Sequence, residues 1–298
     1  MTPRRIALVT ASAARDLDDD LPPLVAALRA AGAEVSVPNW DDPAIDWGAF
    51  DATLLRSTWD YTLRLAEFRA WTERVSTLTH LLNPLPVVRW NTDKHYLRDL
   101  DDAGIAIVPS AFIEPGEDAG VRLDAFLAAH ADAEFVVKPA IGAGSRDAQR
   151  YARRQRDAAV EHARRLIDAQ RSVLLQPYLS RVDEHGETAL VFFGGRFSHA
   201  IRKGPLLRPN EGPTRALFAA EHISPRTPDA AELQLAERTL AAMPFPPLLY
   251  ARVDLIHDAA HAPRVLELEL TEPSLFFAHS AGAAERFAVA IMAWPLSR

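Results

Sequence analysis

Two segments near the C-terminus carry the most information about the fold, YARVDLI at residues 250–256 and RVLELEL at residues 264–270. Their alternation of charged and aliphatic residues predicts two neighbouring β-strands, with Arg252 and Asp254 on one face of their strand and Glu267 and Glu269 on one face of theirs. Three carboxylates on a half-buried sheet face repel one another unless protons or a cation neutralise them, and Mg²⁺ prefers such oxygen ligands. The pair therefore indicates a metal–nucleotide site. The alternative is an amphipathic hairpin whose charged face is solvated.

Bulk properties narrow the classes of function. The chain has 298 residues, 48% of them hydrophobic, a net charge of −7 and no cysteine. This charge argues against a general nucleic-acid or membrane-surface binder, and the lack of cysteine excludes disulfides and thiolate metal sites. No apolar run reaches the roughly 18 residues of a membrane span, so we expect a soluble cytoplasmic protein. The ten histidines show no H-x-x-x-H spacing, which argues against a zinc site.

The order of elements predicts a mixed α/β (α+β) chain. The N-terminal part alternates short apolar strands with amphipathic helices, which is typical of a small parallel α/β domain. Ligands of such sheets bind at the carboxyl ends of the strands, which points to the loops at residues 11–20 and 56–61. Residues 83–90 read as a connector, and from Val173 onward antiparallel strands dominate. The predicted elements of the N-terminal part are Ile6–Thr10, Leu21–Ala31, Glu34–Val37, Asp51–Leu55 and Leu63–Thr77.

A lysine followed by a glycine-rich turn suggests a phosphate site. Lys138 lies at the end of the predicted strand Phe135–Pro139, and Gly142, Gly144 and Ser145 follow it. Glycines let backbone N–H groups approach phosphate oxygens closely. The order matches neither a Walker A motif nor a dinucleotide fingerprint, and a lysine whose head reaches solvent at a strand end is the alternative. Lys94 lies near a predicted helix start, where a lysine is usually just solvated. It points to a phosphate site only together with Lys138.

The strand at residues 173–176 stops at a proline, which leaves backbone donors and acceptors free. Residues 176–179 (QPYL) could read an adenine edge in this way, and Asp183 or Glu187 could bind the ribose hydroxyls. An ordinary edge strand that ends at Pro177 is the alternative. The arginine-rich stretch at residues 146–171 is interpreted as a solvated helix face, because acidic residues are interleaved with the arginines.

Taken in order, these parts resemble the ATP-grasp superfamily of carboxylate–amine ligases, over roughly residues 90–298. The resemblance implies an ATP-grasp fold, in which two subdomains sandwich ATP after a small N-terminal parallel α/β domain and the C-terminal part is largely antiparallel. It implies three units, at residues 1–90, 91–179 and 180–298, the last with the metal site. It also implies ATP and Mg²⁺ as cofactors, with two ions and with Mn²⁺ able to substitute.

The resemblance assigns roles to matching residues. Arg252 would stabilise the acyl phosphate and the oxyanion, and Lys138 and Arg202 join it as catalytic residues. Asp254, Glu267 and Glu269 would bind the metal. The implied ATP-binding residues are Lys94, Lys138, Gly142, Gly144, Ser145, Gln176, Pro177, Tyr178, Leu179, and Asp183 or Glu187.

Two positions depart from the superfamily pattern. Glu269 stands where asparagine is usual, which adds a negative charge to the metal site, and Gln176 stands where glutamate usually begins the hinge. Both departures make the chain less similar to the peptide-forming members.

Blocks such as LRSTWDY (residues 55–61) and FVVKPAIGAGSRD (residues 135–147) resemble a narrower branch, which contains the O-ureido-D-serine cyclo-ligase of D-cycloserine biosynthesis, an antibiotic pathway. That resemblance implies activation of a carboxylate as an acyl phosphate, followed by attack of a nitrogen of the same molecule to close a ring. A small amino-acid-like substrate, no nucleic-acid or membrane partner, and a homo-oligomer (dimer or tetramer) are expected. The implied substrate residues are Arg56, Ser57, Trp59, Asp60, Tyr61, Lys203 and Glu272.

Two other functions stay open at this level. One is an intermolecular amino-acid or dipeptide ligase of the same superfamily, which would need a second organic substrate. The other is a regulatory nucleotide-binding module without catalysis, which the presence of Lys138, Arg252 and the three acidic residues disfavours. The turn at 142–145 and the loop Pro205–Thr214 are expected to act as lids over the reaction.

Overall fold

Three β-sheets organise the protein in a computed structural model, which describes residues 2–208, 212 and 222–296. The strands are β1 Arg5–Thr10, β2 Glu34–Ser36, β3 Ala52–Ser57, β4 His80–Leu82, β5 Ala111–Ile113, β6 Glu134–Pro139, β7 Gln149–Ala152, β8 Val173–Pro177, β9 Glu187–Phe193, β10 Arg196–Lys203, β11 Ile223–Arg226, β12 Tyr250–His257 and β13 Pro263–Glu269. The α-helices are α1 Leu21–Ala30, α2 Leu65–Ser76, α3 Leu85–Asn91, α4 Tyr96–Asp102, α5 Ala119–Ala129, α6 Arg156–Asp168, α7 Val182–His185, α8 Ala230–Ala242 and α9 Ala283–Ala293.

The first sheet has the order β2-β1-β3-β4, and all its strands are parallel. Strands β1 and β3 are almost wholly buried, which matches their continuous apolar sequences. The predicted parallel α/β domain is therefore confirmed. The predicted connector at residues 83–90 is wrong in part, because residues 85–91 form helix α3. Pro86, in the first turn of α3, is compatible with a helix there, since that position needs no N–H donor.

The second sheet has the order β5-β8-β6-β7 and is antiparallel. Helices α5 and α6 cover it and contribute apolar side chains to one core. The arginine-rich stretch is only partly the helix that the sequence predicted, since α6 begins at Arg156 and residues 149–152 form β7. Arg150 on β7 is 7% exposed, so it is not part of a solvated face.

The third sheet has the order β11-β10-β9-β12-β13 and is antiparallel, as the sequence predicted for the C-terminal part. The segments at residues 250–256 and 264–270 lie in β12 and β13, and these two strands pair directly. In their register Arg252 lies opposite Glu269 and Asp254 opposite Glu267. Directly opposed residues share a face of an antiparallel pair, so all four charged side chains lie on one side of the sheet.

The two ends of the described chain meet in one core. Helix α9 packs against α1, and Leu24, Leu28, Phe287 and Ile291 are fully buried in the same cluster. Helices α3 and α4 contribute apolar side chains to a core that includes residues of the third sheet and also Phe112 and Leu174 of the second. Each sheet falls within one of the three predicted units, whose boundaries at 90 and 179 stay predictions. Among the helices in the described ranges, none has the length and apolarity that a membrane crossing requires.

Asn83 ties the first sheet to the third. Its side-chain Nδ2 donates to the carbonyls of Tyr250 and Leu270, both at 2.8 Å, and its Oδ1 accepts from the N–H of Leu249 at 3.2 Å. Its exposure is 2%, so water does not replace these bonds.

We therefore expect Asn83→Ala to lower the free energy of unfolding by about 3 kcal/mol, because buried backbone groups would lose their partners. Denaturant-induced unfolding measures this change. Asn39→Ala is the matched control, because the Asn39 side chain accepts an exposed hydrogen bond from Arg15; we expect a change within about 0.5 kcal/mol. Equal effects of the two substitutions would contradict the bridging role of Asn83.

Candidate active site

A cleft of about 440 Å³ lies where the three sheets meet. This volume is in the range of small-molecule sites. Most residues that the sequence singled out line it. They are Trp59, Tyr61, Lys94, Lys138, Gly142, Gly144, Ser145, Gln176, Pro177, Tyr178, Leu179, Glu187, Lys203, Arg252, Asp254, Glu267, Glu269 and Glu272.

Asp254 is the most heavily bonded acid of the cleft. Its exposure is 1%, and the Arg252 guanidinium donates to both its oxygens at 2.8 Å. Lys203 Nζ donates to Oδ2 at 2.6 Å. Burial opposes ionisation, but these two cations outweigh it and lower the pKa of Asp254. Arg252 also contacts Glu269, so the additional glutamate of this chain has a cationic partner.

The remaining acids differ in their charge state. Glu267 pairs with Lys94 at 2.9 Å, and although burial opposes this, Lys94 and Lys138 lower the pKa of Glu267. Burial raises the pKa of Glu269 to about 7, and it raises that of Glu272 to about 8 with a contribution from Glu269. The cleft therefore holds ionised carboxylates together with carboxyl groups of raised pKa, and the binding of a cation favours loss of the proton from these carboxyl groups.

Strand alternation decides which residue of β10 reaches the cleft. Lys203 points into it and contacts Glu187 as well as Asp254. Arg202 points to the other face of the sheet, where its Nε donates to the His185 carbonyl at 2.8 Å and its Nη2 to the Glu184 carbonyl at 2.9 Å. The assignment of Arg202 as a catalytic residue is therefore corrected: consecutive residues of a strand face opposite sides, and only Lys203 faces the acids.

The lysines and the glycine-rich turn face the acids across the cleft. Lys94 Nζ donates to the Gly142 carbonyl at 2.8 Å, which links the turn to Glu267. Gly144 and Ser145 both have positive φ values, 59° and 57°. Both residues belong to a tight turn, and backbone N–H groups of glycine-rich turns can approach anions closely. Lys138 lies at the end of β6, as predicted, and burial lowers its pKa to about 8.

The strand end at Gln176–Leu179 forms another wall of the cleft. Gln176 Nε2 donates to Ser110 Oγ at 3.0 Å, so the glutamine side chain is engaged within the second sheet. Arg150 stacks on the Tyr178 ring, with 3.6 Å between guanidinium carbon and ring centroid, and it donates to Asp183 at 3.1 Å. The Tyr178 hydroxyl also donates to Asp183. Sequence reasoning missed Arg150, because its strand was read as part of a helix.

The two acids considered for ribose lie in different places. Asp183 adjoins Tyr178 at the strand end but does not line the cleft, because Arg150 and the tyrosine hydroxyl engage it. Glu187 lines the cleft beside Lys203, and burial raises the pKa of its carboxyl to about 8.

Three first-domain residues expected at the substrate do not line the cleft, and their side chains bond elsewhere. Arg56 is 0% exposed and donates to the Pro273 carbonyl at 3.1 Å; Ser57 bonds to the Thr10 hydroxyl at 2.7 Å. Asp60 accepts from Trp40 Nε1 at 2.8 Å. These expectations are corrected, since all three side chains are used inside the first domain or at its border.

Trp59 and Tyr61 do reach the cleft, and Trp59 Nε1 donates to the Glu272 carbonyl at 3.0 Å.

Asp20 holds the loop that carries the partners of Arg252. Its carboxylate accepts from the N–H groups of Leu275, Phe276 and Phe277 at 2.6, 2.9 and 2.7 Å. Phe276 has a φ of 53°, a conformation that a non-glycine residue adopts only when its surroundings impose it. Arg252 donates to the Ser274 carbonyl at 2.9 Å and lies 5.4 Å from the Phe276 ring centroid. The signal in the sequence was the position of Asp20 in the loop after the first strand.

Of the two expected lids, the described residues include the first in full and the second in part. The turn at 142–145 lines the cleft. The predicted lid Pro205–Thr214 lies partly outside the described residues, at 209–211 and 213–214.

Solved structures of similar fold define the class of protein. A structure of the ATP-grasp ligase PsnB complexed with minimal precursor, Mg and ADP has a TM-score of 0.65 at 18% identity, with 97% of each chain covered. A structure of D-alanine–D-alanine ligase from Bacillus anthracis complexed with ATP has a TM-score of 0.68 at 16% identity, with 98% of this chain and 96% of that chain covered. The fold is that of the ATP-grasp ligases, as the sequence predicted.

Closer relatives identify the family. The Cycloserine biosynthesis protein DcsG of Streptomyces lavendulae is 43% identical over 292 residues, which cover 96% of this chain and 97% of the relative. The crystal structure of D-cycloserine synthetase DcsG has a TM-score of 0.91 at 42% identity, with 96% and 98% covered. A family model of the DcsG N-terminal domain matches residues 6–83. The chain belongs to the D-cycloserine synthetase (DcsG) family and is an ATP-dependent ligase that forms C–N bonds.

We expect Asp20→Asn to reduce kcat about 100-fold, because an amide offers one acceptor where a carboxylate offers two, and a small displacement of the 274–277 loop would misplace Arg252. ADP release in steady-state kinetics measures the change. Exposed Asp16 lies in the same loop, and Asp16→Asn is expected to keep wild-type kcat. Wild-type kcat in Asp20→Asn would show that the loop does not depend on this carboxylate.

Proposed function

We propose that the chain converts O-ureido-D-serine by an ATP-dependent intramolecular ring closure that leads to D-cycloserine. The observation that carries the proposal is the cluster of Arg252, Asp254, Glu267 and Glu269, which faces Lys94 and Lys138 in one cleft. The similarity along 96% of the chain to a cycloserine biosynthesis protein supports the choice of substrate.

In this proposal the nucleotide binds between the second and third sheets. Lys94, Lys138 and the N–H groups of the 142–145 turn hold its phosphates, because they are the cationic and donor groups that face the acids. The backbone at residues 176–179 reads the adenine. Asp183 and Glu187 both stay candidates for the ribose: Glu187 lines the cleft beside Lys203 and Asp254, whereas Asp183 adjoins the Tyr178 hydroxyl outside the lining.

The carboxylates fit a hard divalent cation. Asp254, Glu267 and Glu269 offer oxygen atoms on adjacent strands in register, a ligand set typical of Mg²⁺ and sufficient for two ions, with Mn²⁺ as a substitute. When bound, the metal neutralises phosphate charge during phosphoryl transfer. Arg252, which already spans Asp254 and Glu269, and Lys203 are the cations that must exchange part of their partners when it binds.

The reaction then needs one organic substrate. Its carboxylate oxygen attacks the γ-phosphorus of ATP, which breaks the bond to ADP and forms an acyl phosphate. The oxyamine-side nitrogen of the same molecule attacks the acyl carbon, phosphate leaves, and the nitrogen loses its proton. Arg252 stabilises the oxyanion that develops on the acyl oxygen. The ring nitrogen still carries the carbamoyl group at this point, and hydrolysis removes it. Water adds to the carbamoyl carbon, the bond to the ring nitrogen breaks and this nitrogen takes a proton, and the carbamic acid that is released breaks down to CO₂ and ammonia.

The groups that would orient this substrate come from the first domain and the loop after β13. Glu272 hydrogen-bonds to the Tyr61 hydroxyl, and the neighbouring Trp59 binds the Glu272 backbone. A carboxyl in this position could receive the substrate's α-ammonium group. Because the reacting atoms belong to one molecule, holding it in a curled conformation supplies much of the rate acceleration.

The decisive experiment measures ADP release with O-ureido-D-serine as the sole organic substrate, together with mass analysis of the product. We expect ADP to form with this compound alone and a cyclic product to accumulate. Activity only when two amino acids are supplied together would identify an intermolecular ligase instead and refute the proposal. Glu267→Gln is the control preparation: it removes a proposed metal ligand and should reduce ADP release at least about 100-fold.

The pH dependence of ATP binding provides a second test. The pKa of Lys138 is lowered to about 8, so this side chain is cationic below that pH and loses its charge above it. Binding of phosphate favours the cation, so the KM for ATP should rise above pH 8 by up to about tenfold for each pH unit. Glu187 and Glu272 titrate in the same range, so the Lys138 contribution is isolated by comparison with Lys138→Arg. Arginine stays charged, and a smaller rise is expected. Identical profiles would exclude Lys138 as the source.

A further inference from the structure

Two histidines and a glutamate converge on the side of the third sheet opposite the cleft. Arg252, Asp254 and Ile256 of β12 line the cleft, whereas His257, the last residue of that strand, belongs to the opposite face. Glu232 lies in the first turn of α8, and His185 ends α7. One ligand atom from each of the three residues lies within 4.8 Å of the others.

The geometry leaves a gap that hydrogen bonds do not fill. Glu232 Oε1 is 3.7 Å from His185 Nε2 and 3.8 Å from His257 Nε2. Both distances are too long for a hydrogen bond, yet close to the separation of about 3.3 Å between ligands that each lie about 2.0–2.2 Å from a tetrahedral zinc ion. Within the described part of the chain, His185 Nε2, the atom that faces Glu232, is buried without a hydrogen-bond partner. A buried polar atom of this kind normally has a partner.

The carboxylate is held in place by neighbours, as metal-ligating carboxylates usually are. Thr188 Oγ1 donates to Glu232 Oε1 at 2.6 Å, and the Asp229 N–H donates to Oε2 at 2.9 Å. Arg226 fixes the other side, since it donates to Thr188 Oγ1 at 2.6 Å and to the His185 carbonyl at 2.9 Å. Arg226, Arg202 and Arg181 place positive charge near the cluster, which reduces its affinity for a cation.

We propose that His185, Glu232 and His257 form a binding site for one divalent transition-metal ion of the zinc class. Two imidazoles and one carboxylate are a ligand set that zinc accepts and that Mg²⁺ disfavours, so the site differs in chemistry from the acidic cleft. The three protein ligands leave the fourth position of a tetrahedral zinc ion for a further ligand. The spacing rule in the sequence missed this set, because the three residues lie on separate elements.

An ion in this site would cross-link three elements around the cleft. Helix α7 follows the strand end at 176–179, β12 carries Arg252 and Asp254, and α8 covers the back of the sheet. Binding to the folded state alone would therefore raise the thermal stability of the protein. This inference concerns a site apart from the cleft and does not depend on the identity of the organic substrate.

Equilibrium dialysis tests the site. The full chain is dialysed against Zn²⁺ in a large excess of Mg²⁺, the bound metal is quantified, and the thermal unfolding midpoint is measured. We expect one zinc ion per chain and a raised unfolding midpoint. His185→Gln and His257→Gln should each abolish both effects while leaving the metal-free midpoint nearly unchanged. His185 is half-exposed, so its substitution keeps the test valid if the His257 variant folds poorly.

Two control variants separate this site from other binding. His80→Gln removes a histidine from the first sheet, and Glu267→Gln removes a carboxylate from the cleft; both should still bind one zinc ion. Zinc binding that survives His185→Gln and His257→Gln, or that is lost in Glu267→Gln, would overturn the proposal. So would the absence of any zinc binding to the wild-type chain.

Discussion

The ion pair between Arg252 and Asp254 is the interaction around which the cleft is arranged. Both side chains are almost fully buried, and burying two charges is unfavourable unless geometry and further bonds compensate. Here the pair is bidentate, and Lys203 and Glu269 extend it into a network. Because β12 and β13 pair in register, these two strands supply three of the four groups, and β10 of the same sheet supplies Lys203. The four charged side chains all line the cleft, so the position of the Arg252 guanidinium there depends on the whole network.

Residues far away in the chain complete this arrangement. Ser274 and Phe276 contact Arg252, and their loop adopts its shape because Asp20 binds three consecutive backbone N–H groups. Arg56, which the sequence placed at the substrate, instead donates to the Pro273 carbonyl and lies beside the carboxylate of Asp20. The first domain therefore helps to fix the conformation of the loop that follows β13.

Sequence reasoning succeeded where local pattern determines structure. Alternation located β12 and β13 and the face that carries Asp254 and Glu267, because a strand has a fixed period of two. It failed where the outcome depends on tertiary contacts. Arg202 and Lys203 are adjacent and similar in charge, and only the pairing of β10 decides which one faces the cleft. Arg150 was assigned to a helix surface, because nothing local reveals that Glu134, Tyr178 and Asp183 surround it.

The packing of α9 against α1 limits which parts of this fold can be exchanged with those of another ligase. The first and last helices share one apolar core, and Asp20 and Asn83 bond to backbone that follows or belongs to the third sheet. The N-terminal unit is thus not an independent module that could be exchanged for that of another ligase. A functional chimera would have to transfer α9 and the loop at 271–277 together with residues 1–90. Recombination within this family is therefore constrained to breakpoints that keep the two ends of the chain together.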